Sequence, residues 1–345
     1  MTRIGRAYEN LIGCVSIQER NKVIRLNNGY LAEPRPAVSE EDIQMLADNV
    51  VEFSDWLKDN NISFIYANVG TKVCKEDKQL PSGGIEESNE NADKLINLLQ
   101  SKDVNVLDFR QLLREQYPDW YSAYYIADSH WKNTTALWGA RVLASTLNES
   151  AGFDFDLNYY EIEKYIVETS DNYFLGSEGR VLTTAVAELE PFSKVIPRFD
   201  TDLAVKIPSR SIDIRGRYEE TLFRENIYDE IASYRIEDHE VKVDAYSTVL
   251  WRNDALGTVQ NFATKDNIGK RILMIQDSFG YYLSTYLALD VSRIDYVYLP
   301  NFTGSIKQYI KETKPDAVVF LLSAGNIKKI VPEEYDTHTH FFDLR

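Results

Sequence analysis

The sequence predicts an α/β fold in which a parallel β-sheet lies between layers of helices. Short apolar runs bounded by polar residues predict buried strands, and segments with apolar residues at helical spacing lie between them. This alternation is found in the first and last parts of the chain, where it is typical of parallel sheets covered by helices. The longest fully apolar run, Ala317 to Leu322, is far shorter than a membrane span.

In the first part, the order is helix, strand, helix, strand. Ser39 is predicted to cap a helix whose apolar residues recur at helical spacing from Ile43 to Leu57. Strands are predicted at Ile62–Ala67 and Val104–Phe109, with a helix around Leu95–Leu99 between them.

A different pattern follows a predicted helix that starts near Asn133. From about residue 150 to 268, short alternating segments, turns and dense charges replace the regular order, and Gly176-Ser177-Glu178-Gly179 is predicted to be a turn. We interpret this region as an irregular, β-containing insertion into a single domain that spans residues 1–345.

The α/β order then returns. Strands are predicted at Arg271–Gln276, Ile294–Leu299 and Ala317–Leu322. Helices are predicted between them at Gly280–Leu289 and Ser305–Ile310.

The composition narrows the possible partners. The 345 residues include 38 basic and 54 acidic side chains, for a net charge of −16, which argues against nucleic acid and against anionic lipid as partners. Two cysteines and four histidines predict neither a disulfide framework nor a metal centre, and we expect no cofactor. Whether Cys14 and Cys74 pair is left open. No charged-then-apolar leader follows Met1, so we expect no secretion signal in this sequence.

The most informative segment joins an apolar strand to a helix at Asp277-Ser278-Phe279. A serine at such a turn presents its hydroxyl at the C-terminal edge of the sheet, where backbone N–H groups at the helix start can hold an oxyanion. Ser278 is therefore a candidate nucleophile. The alternative is that Asp277 or Ser278 only caps the helix, since Asp-Ser before a helix is common.

A serine nucleophile needs a base, and His130 is the favoured histidine. It lies in Asp128-Ser129-His130-Trp131, directly before a helix, and Asp128 is close enough to orient the ring through Nδ1. A lone histidine is more often structural. The combination with a strand-end Asp-Ser nevertheless favours a Ser-His-Asp triad.

A rival arrangement lies downstream of the serine, at Asp336, His338 and His340. Its Asp-x-His spacing is the same, and its alternatives are a weak metal site or a solvated tail. It ranks second because the segment around it has no predicted structure. His239 lies among acidic residues and is predicted to be at the surface.

The oxyanion donors are less clearly indicated. Besides the Ser278 and Phe279 amides, the candidates are Asn68 and Asn326, which follow the first and last predicted strands. Functional groups of parallel sheets lie at such strand ends. Each asparagine is also a common turn residue.

Together these motifs resemble the SGNH-hydrolase-like acetyltransferases, the family of the alginate O-acetyltransferases, with the DHHW proteins as relatives. The resemblance rests on Asp128-Ser129-His130-Trp131 and Asp277-Ser278-Phe279. Weaker similarity, which extends it over most of the chain, is found at Asn28–Leu31, Leu80–Pro81, Phe174–Ser177 and Tyr246–Asn261. One departure is Gln276, which stands where the broader SGNH group usually has glycine.

The resemblance implies a flavodoxin-like domain with a triad in the chain order Asp128, His130, Ser278. It implies that Ser278 takes up an acetyl group, with His130 as base and Asp128 as its orienting partner. It also implies transfer to hydroxyls of an exopolysaccharide or cell-wall glycan outside the cytoplasm, at the cell surface or in the periplasm. A membrane-bound O-acyltransferase would be the acetyl-donor partner. The acidic composition argues against alginate itself as the acceptor.

Two other functions remain open. A carbohydrate or small-ester esterase uses the same triad and differs only in whether water or a sugar attacks the acyl-enzyme. A non-catalytic glycan-binding protein of an acetylation complex is the second alternative. Trp131, Tyr124 and Tyr125 are candidates for stacking on sugar rings, although core packing explains these residues equally well.

Overall fold

The computed structural model describes residues 23–171, 173–182, 187–222, 233–236, 239–242 and 254–327. The sequence predictions at Asp336, His338, His340 and Cys14 lie outside these ranges, as does the side chain of His239.

Strands and α-helices alternate in the first and last parts of the described chain, and strands predominate between them. The strands are β1 (Ile24–Arg25), β2 (Leu31–Ala32), β3 (Ser63–Val69), β4 (Val106–Asp108), β5 (Tyr165–Thr169), β6 (Ser193–Pro197), β7 (Leu203–Ile207), β8 (Ile212–Gly216), β9 (Ser233–Ile236), β10 (His239–Lys242), β11 (Leu256–Asn261), β12 (Arg271–Gln276), β13 (Arg293–Tyr298) and β14 (Ala317–Ser323). The α-helices are α1 (Glu40–Asp59), α2 (Ser88–Ser101), α3 (Phe109–Gln116), α4 (Asn133–Ala151), α5 (Gly176–Leu182), α6 (Tyr218–Thr221), α7 (Gly280–Leu287) and α8 (Ile306–Thr313).

Eight strands form the central sheet in the order β4-β3-β14-β12-β13-β11-β7-β8. The five strands from β4 to β13 are parallel, and β11, β7 and β8 continue the sheet in antiparallel pairing. The carboxyl ends of the parallel strands therefore share one edge, the usual place for a functional site in such a sheet.

Helices cover both faces of the sheet, and β12 shows how the core is divided. Ile272 and Met274 pack with residues of α4 and α7 on one face. Leu273 and Ile275 pack with residues of α1, α2 and α8 on the other. Successive side chains of a strand point to opposite faces, so a strand buried on both sides is apolar throughout.

The predicted α/β fold is confirmed, and several of its elements have local causes. Ser39 caps α1, since its Oγ accepts a hydrogen bond from the Asp42 amide at 3.1 Å. The strand at Arg271–Gln276 has the predicted bounds. The strand predicted at Val104–Phe109 is shorter, because the Asp108 side chain accepts a hydrogen bond from the Arg110 amide and starts α3.

Two local predictions were wrong. The segment Gly176–Gly179 starts the short helix α5 and is not a turn; Gly176, with φ of 70°, enters this helix beside the Ala127 carbonyl. The irregular region from about residue 150 to 268 also supplies β7, β8 and β11 to the central sheet, so the sheet is mixed. These strands have only five or six residues, and polar or charged side chains interrupt each of them, so no continuous apolar run marks them in the sequence. The single domain over residues 1–345 stays a prediction.

Among the described helices, none is long and apolar enough to cross a membrane.

Candidate active site

The candidate nucleophile lies in the turn between β12 and α7. Asp277, which precedes Ser278, is buried and ties this turn to the end of β14. Its Oδ2 accepts hydrogen bonds from the Ser323 amide and the Asn326 side-chain amide, both at 2.7 Å. Its Oδ1 accepts a hydrogen bond from the Phe279 amide at 2.9 Å. Because one carboxylate receives three donors, the backbone that presents Ser278 is held on two sides.

Gln276 fills the space behind this turn. Its side chain is fully buried, and its Oε1 accepts a hydrogen bond from Ser284 Oγ. A Cβ at residue 280 would lie 2.6 Å from Gln276 Cδ, closer than real Cβ atoms approach another heavy atom. Gly280 at the start of α7 therefore makes room for Gln276.

The side chains of Ser278, His130 and Asp128 lie in a hydrogen-bonded row. His130 Nε2 lies 2.7 Å from Ser278 Oγ, and His130 Nδ1 lies 2.5 Å from Asp128 Oδ1. The His130 ring also packs against Phe279, with ring centroids 4.9 Å apart. When Nδ1 donates to the carboxylate, Nε2 is left as the acceptor, which is the tautomer that a serine hydroxyl can donate to.

Asp128 is a buried carboxylate with a hydrogen bond on each oxygen. Oδ1 also accepts from the His130 backbone amide at 3.0 Å, and Oδ2 accepts from the Ser177 amide at 2.7 Å. Burial by itself raises the pKa of Asp128, but the His130 ring and these hydrogen bonds outweigh it and hold the pKa below its ordinary value. The carboxylate is therefore ionised at neutral pH and can stabilise a positive charge on His130.

Ser278 lines a cavity of about 410 Å³ at the carboxyl edge of the sheet. The wall comes from segments that follow β2, β3, β12, β13 and β14, and the acidic and basic side chains in it other than Asp277 are Glu33, Arg35, Lys72 and Glu86. Arg35 and Glu33 form an ion pair at 2.7 Å. Burial raises the pKa of Glu86 to about 7. A cavity of this volume is of the size that binds small molecules.

The candidate oxyanion donors differ in where the structure places them. The Phe279 N–H and the Asn326 side-chain amide line the cavity but donate to Asp277. Asn68 lies within β3, is fully buried, donates to Asp108 at 3.2 Å and does not line the cavity, so it is not placed to hold an oxyanion. Within the described ranges, no protein acceptor bonds the Ser278 N–H. Since Ser278 lines the cavity, its amide is a candidate oxyanion donor.

The aromatic residues near His130 belong to the core. Trp131 is fully buried, donates from Nε1 to the Phe279 carbonyl at 3.2 Å and packs edge-on against Phe109. Tyr124 and Tyr125 are also buried. In this structure the three candidates for sugar stacking have no face open to a glycan.

The sequence analysis missed three buried charged residues next to residues 125–128, the Asp128 segment. Lys72 and Glu178 form a buried ion pair at 2.9 Å, and Glu190 accepts hydrogen bonds from the Ile126 and Ala127 amides. No spacing in the sequence marks these residues, since each partner lies more than 50 positions away along the chain.

Among the described residues, no group of three or more His, Cys, Asp or Glu side chains is arranged to hold a metal ion.

Several solved structures have a fold similar to that of this chain. Bacillus cereus PatB1 with a sulfonyl adduct has a TM-score of 0.71 at 18% identity, over 88% of this chain and 95% of that chain. A DHHW family protein from Eubacterium siraeum has a TM-score of 0.65 at 16% identity, over 94% and 96%. The O-acetyltransferase domain of Pseudomonas putida AlgJ has a TM-score of 0.54 at 12% identity, over 94% and 99%. At these identities the similarity shows the fold.

The protein thus has the fold of the SGNH-hydrolase-like proteins. More particularly, residues 30–176 match the family model described as the SGNH hydrolase-like domain of acetyltransferase AlgX. This match confirms the resemblance inferred from the sequence. A search of the curated proteins found no match.

Proposed function

We propose that this protein is an O-acetyltransferase that carries an acetyl group on Ser278 and transfers it to hydroxyls of an exopolysaccharide or cell-wall glycan. The observation that carries the proposal is the hydrogen-bonded alignment of Asp128 and His130 with Ser278, which itself lines a cavity. The match of residues 30–176 to an acetyltransferase family supports acyl transfer as the chemistry.

In the first half of the reaction, Ser278 Oγ attacks the carbonyl carbon of an acetyl donor. His130 Nε2 accepts the hydroxyl proton, and Asp128 stabilises the resulting imidazolium. In this proposal the Ser278 N–H donates to the oxyanion. The bond to the leaving group then breaks, His130 returns the proton to that group, and acetyl-Ser278 remains.

In the second half, a glycan hydroxyl attacks the acetyl-serine. His130 accepts the proton of this hydroxyl, the new ester forms, and the bond from the acetyl carbon to Ser278 Oγ breaks. His130 then returns the proton to Ser278 Oγ, which restores the starting state. Water in place of the glycan hydroxyl gives the esterase reaction at the same site.

The charges of the cavity wall favour a neutral acceptor. Arg35 is paired with Glu33, and Glu86 and Asp277 add acidic groups to the same wall. With a net charge of −16 for the chain, a strongly anionic glycan is repelled on approach.

The proposal includes a membrane-bound O-acyltransferase as the source of acetyl groups. A glycan outside the cytoplasm is separated from the cytoplasmic pool of acetyl donors, so the acetyl group must be passed across the membrane by a partner. The reaction would then take place at the cell surface or in the periplasm.

The proposal is tested by measuring release of 4-nitrophenol from 4-nitrophenyl acetate, with and without neutral oligosaccharides. Ser278→Ala and His130→Ala are the test variants, and Ser150→Ala is the matched control, since Ser150 is exposed near the end of α4. We expect turnover that depends on Ser278 and His130 and rises with acceptor. Mass spectrometry should detect acetylated sugar.

Each other result points to a different function. Turnover that depends on Ser278 but is indifferent to every sugar, with no acetylated product, would replace the transferase by an esterase. If Ser278→Ala and His130→Ala both retain wild-type activity, these residues are not the catalytic groups. Saturable glycan binding without any turnover would favour a non-catalytic glycan-binding protein.

A further inference from the structure

We infer that Lys72 is a positioning residue that holds the backbone carrying Asp128 and thereby aligns His130 with Ser278. The inference rests on the proposed function, because it assigns Lys72 a part in the same acyl transfer. Lys72 lies beyond the end of β3 on a segment remote in sequence from the three reacting residues.

The Lys72 ammonium group is surrounded by acceptors from the Asp128 segment. Nζ donates to the Asp128 carbonyl at 2.7 Å, to the Tyr125 carbonyl at 3.0 Å and to Glu178 Oε2 at 2.9 Å. The Ile126 carbonyl lies farther away, at 3.4 Å. The Lys72 and Glu178 side chains are only 3% and 5% exposed, so these bonds are shielded from water.

These contacts distinguish positioning from direct catalysis. An ammonium group has three N–H donors, and the three shortest contacts of Lys72 use all of them within the protein. Lys72 lines the cavity, yet it has no donor left for an acetyl donor or a glycan. Its effect on the reaction must therefore pass through the Asp128 segment.

This segment depends on side chains because it is neither helix nor strand from residue 125 to 128. Glu190 satisfies two of its amides, Ile126 at 2.9 Å and Ala127 at 2.7 Å. The Gly179 amide of α5 donates to the Ala127 carbonyl at 2.9 Å. Lys72 donates to the carbonyl of Asp128 itself. Lys72 therefore holds the backbone of the residue that orients His130.

The expected effect of removing Lys72 follows from the geometry of Asp128, His130 and Ser278. Without Lys72, the Tyr125 and Asp128 carbonyls lose a buried donor, and Glu178 becomes a buried acid without its cation. A displacement of about 1 Å in a reacting group can lower a rate by about 100-fold. We therefore expect a loss in kcat and little change in KM.

The experiment uses three variants of the full chain. Lys72→Met removes the donor, and Lys72→Met with Glu178→Leu removes both charges, so that neither member of the pair is left as an unpaired buried charge. Lys206→Met is the matched control, because it makes the same side-chain change in an ion pair whose members are 55% and 66% exposed, so that the carboxylate left behind stays in contact with water. Circular dichroism and thermal melting establish that each variant is folded.

Two readouts are measured for every folded variant. The first is kcat and KM for 4-nitrophenyl acetate, and the second is the rate at which phenylmethylsulfonyl fluoride modifies Ser278, which needs neither acetyl donor nor glycan. We expect the double variant to lose about 30- to 100-fold in kcat and in the modification rate, with KM within about twofold. Lys206→Met should stay within about threefold of the wild type in both.

The outcomes separate this inference from the proposed function. A folded double variant with wild-type kcat and modification rate overturns the positioning role, even where Ser278→Ala abolishes turnover. A change in KM alone also overturns it, since that result means direct contact with substrate. If Ser278→Ala itself retains activity, the proposed function fails instead.

Discussion

Replacing Asp128 with asparagine tests the proposed Ser278-His130-Asp128 triad at its most buried residue. The carboxylate accepts two hydrogen bonds from His130 on Oδ1, through Nδ1 and the backbone amide, and one from the Ser177 amide on Oδ2. Asparagine has the same shape but only one acceptor oxygen, and its other group is a donor. It cannot satisfy both sides of the site.

Either orientation of the asparagine carries a cost. With its oxygen toward His130, its NH₂ group faces the Ser177 amide, and the loss of that buried hydrogen bond costs about 1–3 kcal/mol. With its oxygen toward Ser177, the NH₂ group faces Nδ1 and favours the tautomer that carries its proton on Nε2, which cannot accept a proton from Ser278. Both orientations lack the charge that stabilises the imidazolium.

We therefore expect Asp128→Asn to lower kcat for 4-nitrophenyl acetate by about 10²- to 10⁴-fold, with the upper value set by the same change in a Ser-His-Asp triad. Thermal melting should show a modest loss of stability. Asp59→Asn, at an exposed position in the last turn of α1, is the control and should match the wild type. A folded Asp128→Asn protein with kcat within about threefold of the wild type would refute the reasoning.

Three further predictions concern close packing and burial. Gly280→Ala should lower both turnover and the melting temperature, because its Cβ meets Gln276, and adding Gln276→Gly should restore both; lack of any restoration would count against this contact. Gly176→Ala, at φ of 70° against the Ala127 carbonyl, should lower the free energy of unfolding in urea by about 1–3 kcal/mol, and an unchanged value would contradict the strain. Burial raises the pKa of Glu86 from 4.5 to about 7, so its contribution to stability is full below pH 4.5 and is lost as the pH rises through 7. The protein should melt at a higher temperature at pH 6 than at pH 8, and Glu86→Gln, which cannot titrate, should narrow that difference; an equal difference in both proteins would exclude Glu86 as its source.

Much of the fold could be predicted because its causes act over a few residues. The apolar run Arg271–Gln276 predicts a strand with the observed bounds, and Ser39 predicts the start of α1. Likewise, Asp128 and His130 lie two positions apart, so their motif predicts a contact that the structure contains. The strands β7, β8 and β11 gave no such signal, because each has only five or six residues and is interrupted by polar or charged side chains.

The candidate site could be predicted only in part. The sequence indicated Ser278 by its place between a strand and a helix, and His130 by its neighbours, as candidates for one triad. It did not indicate that the Phe279 amide and the Asn326 side-chain amide donate hydrogen bonds to Asp277. It also did not indicate that Asn68 lies within β3 and not after it. These assignments depend on which atoms meet across the sheet edge.

The sequence by itself therefore determined the layered α/β class and named Ser278, His130 and Asp128 as candidates. Only the tertiary structure decided that Ser278 and His130, 148 positions apart, lie within hydrogen-bonding distance, and that Lys72 and Glu178, 106 positions apart, form a buried pair beneath Asp128. The physical reason is that helix caps and apolar periodicity are local, whereas a buried donor takes whichever acceptor the fold brings within about 3 Å.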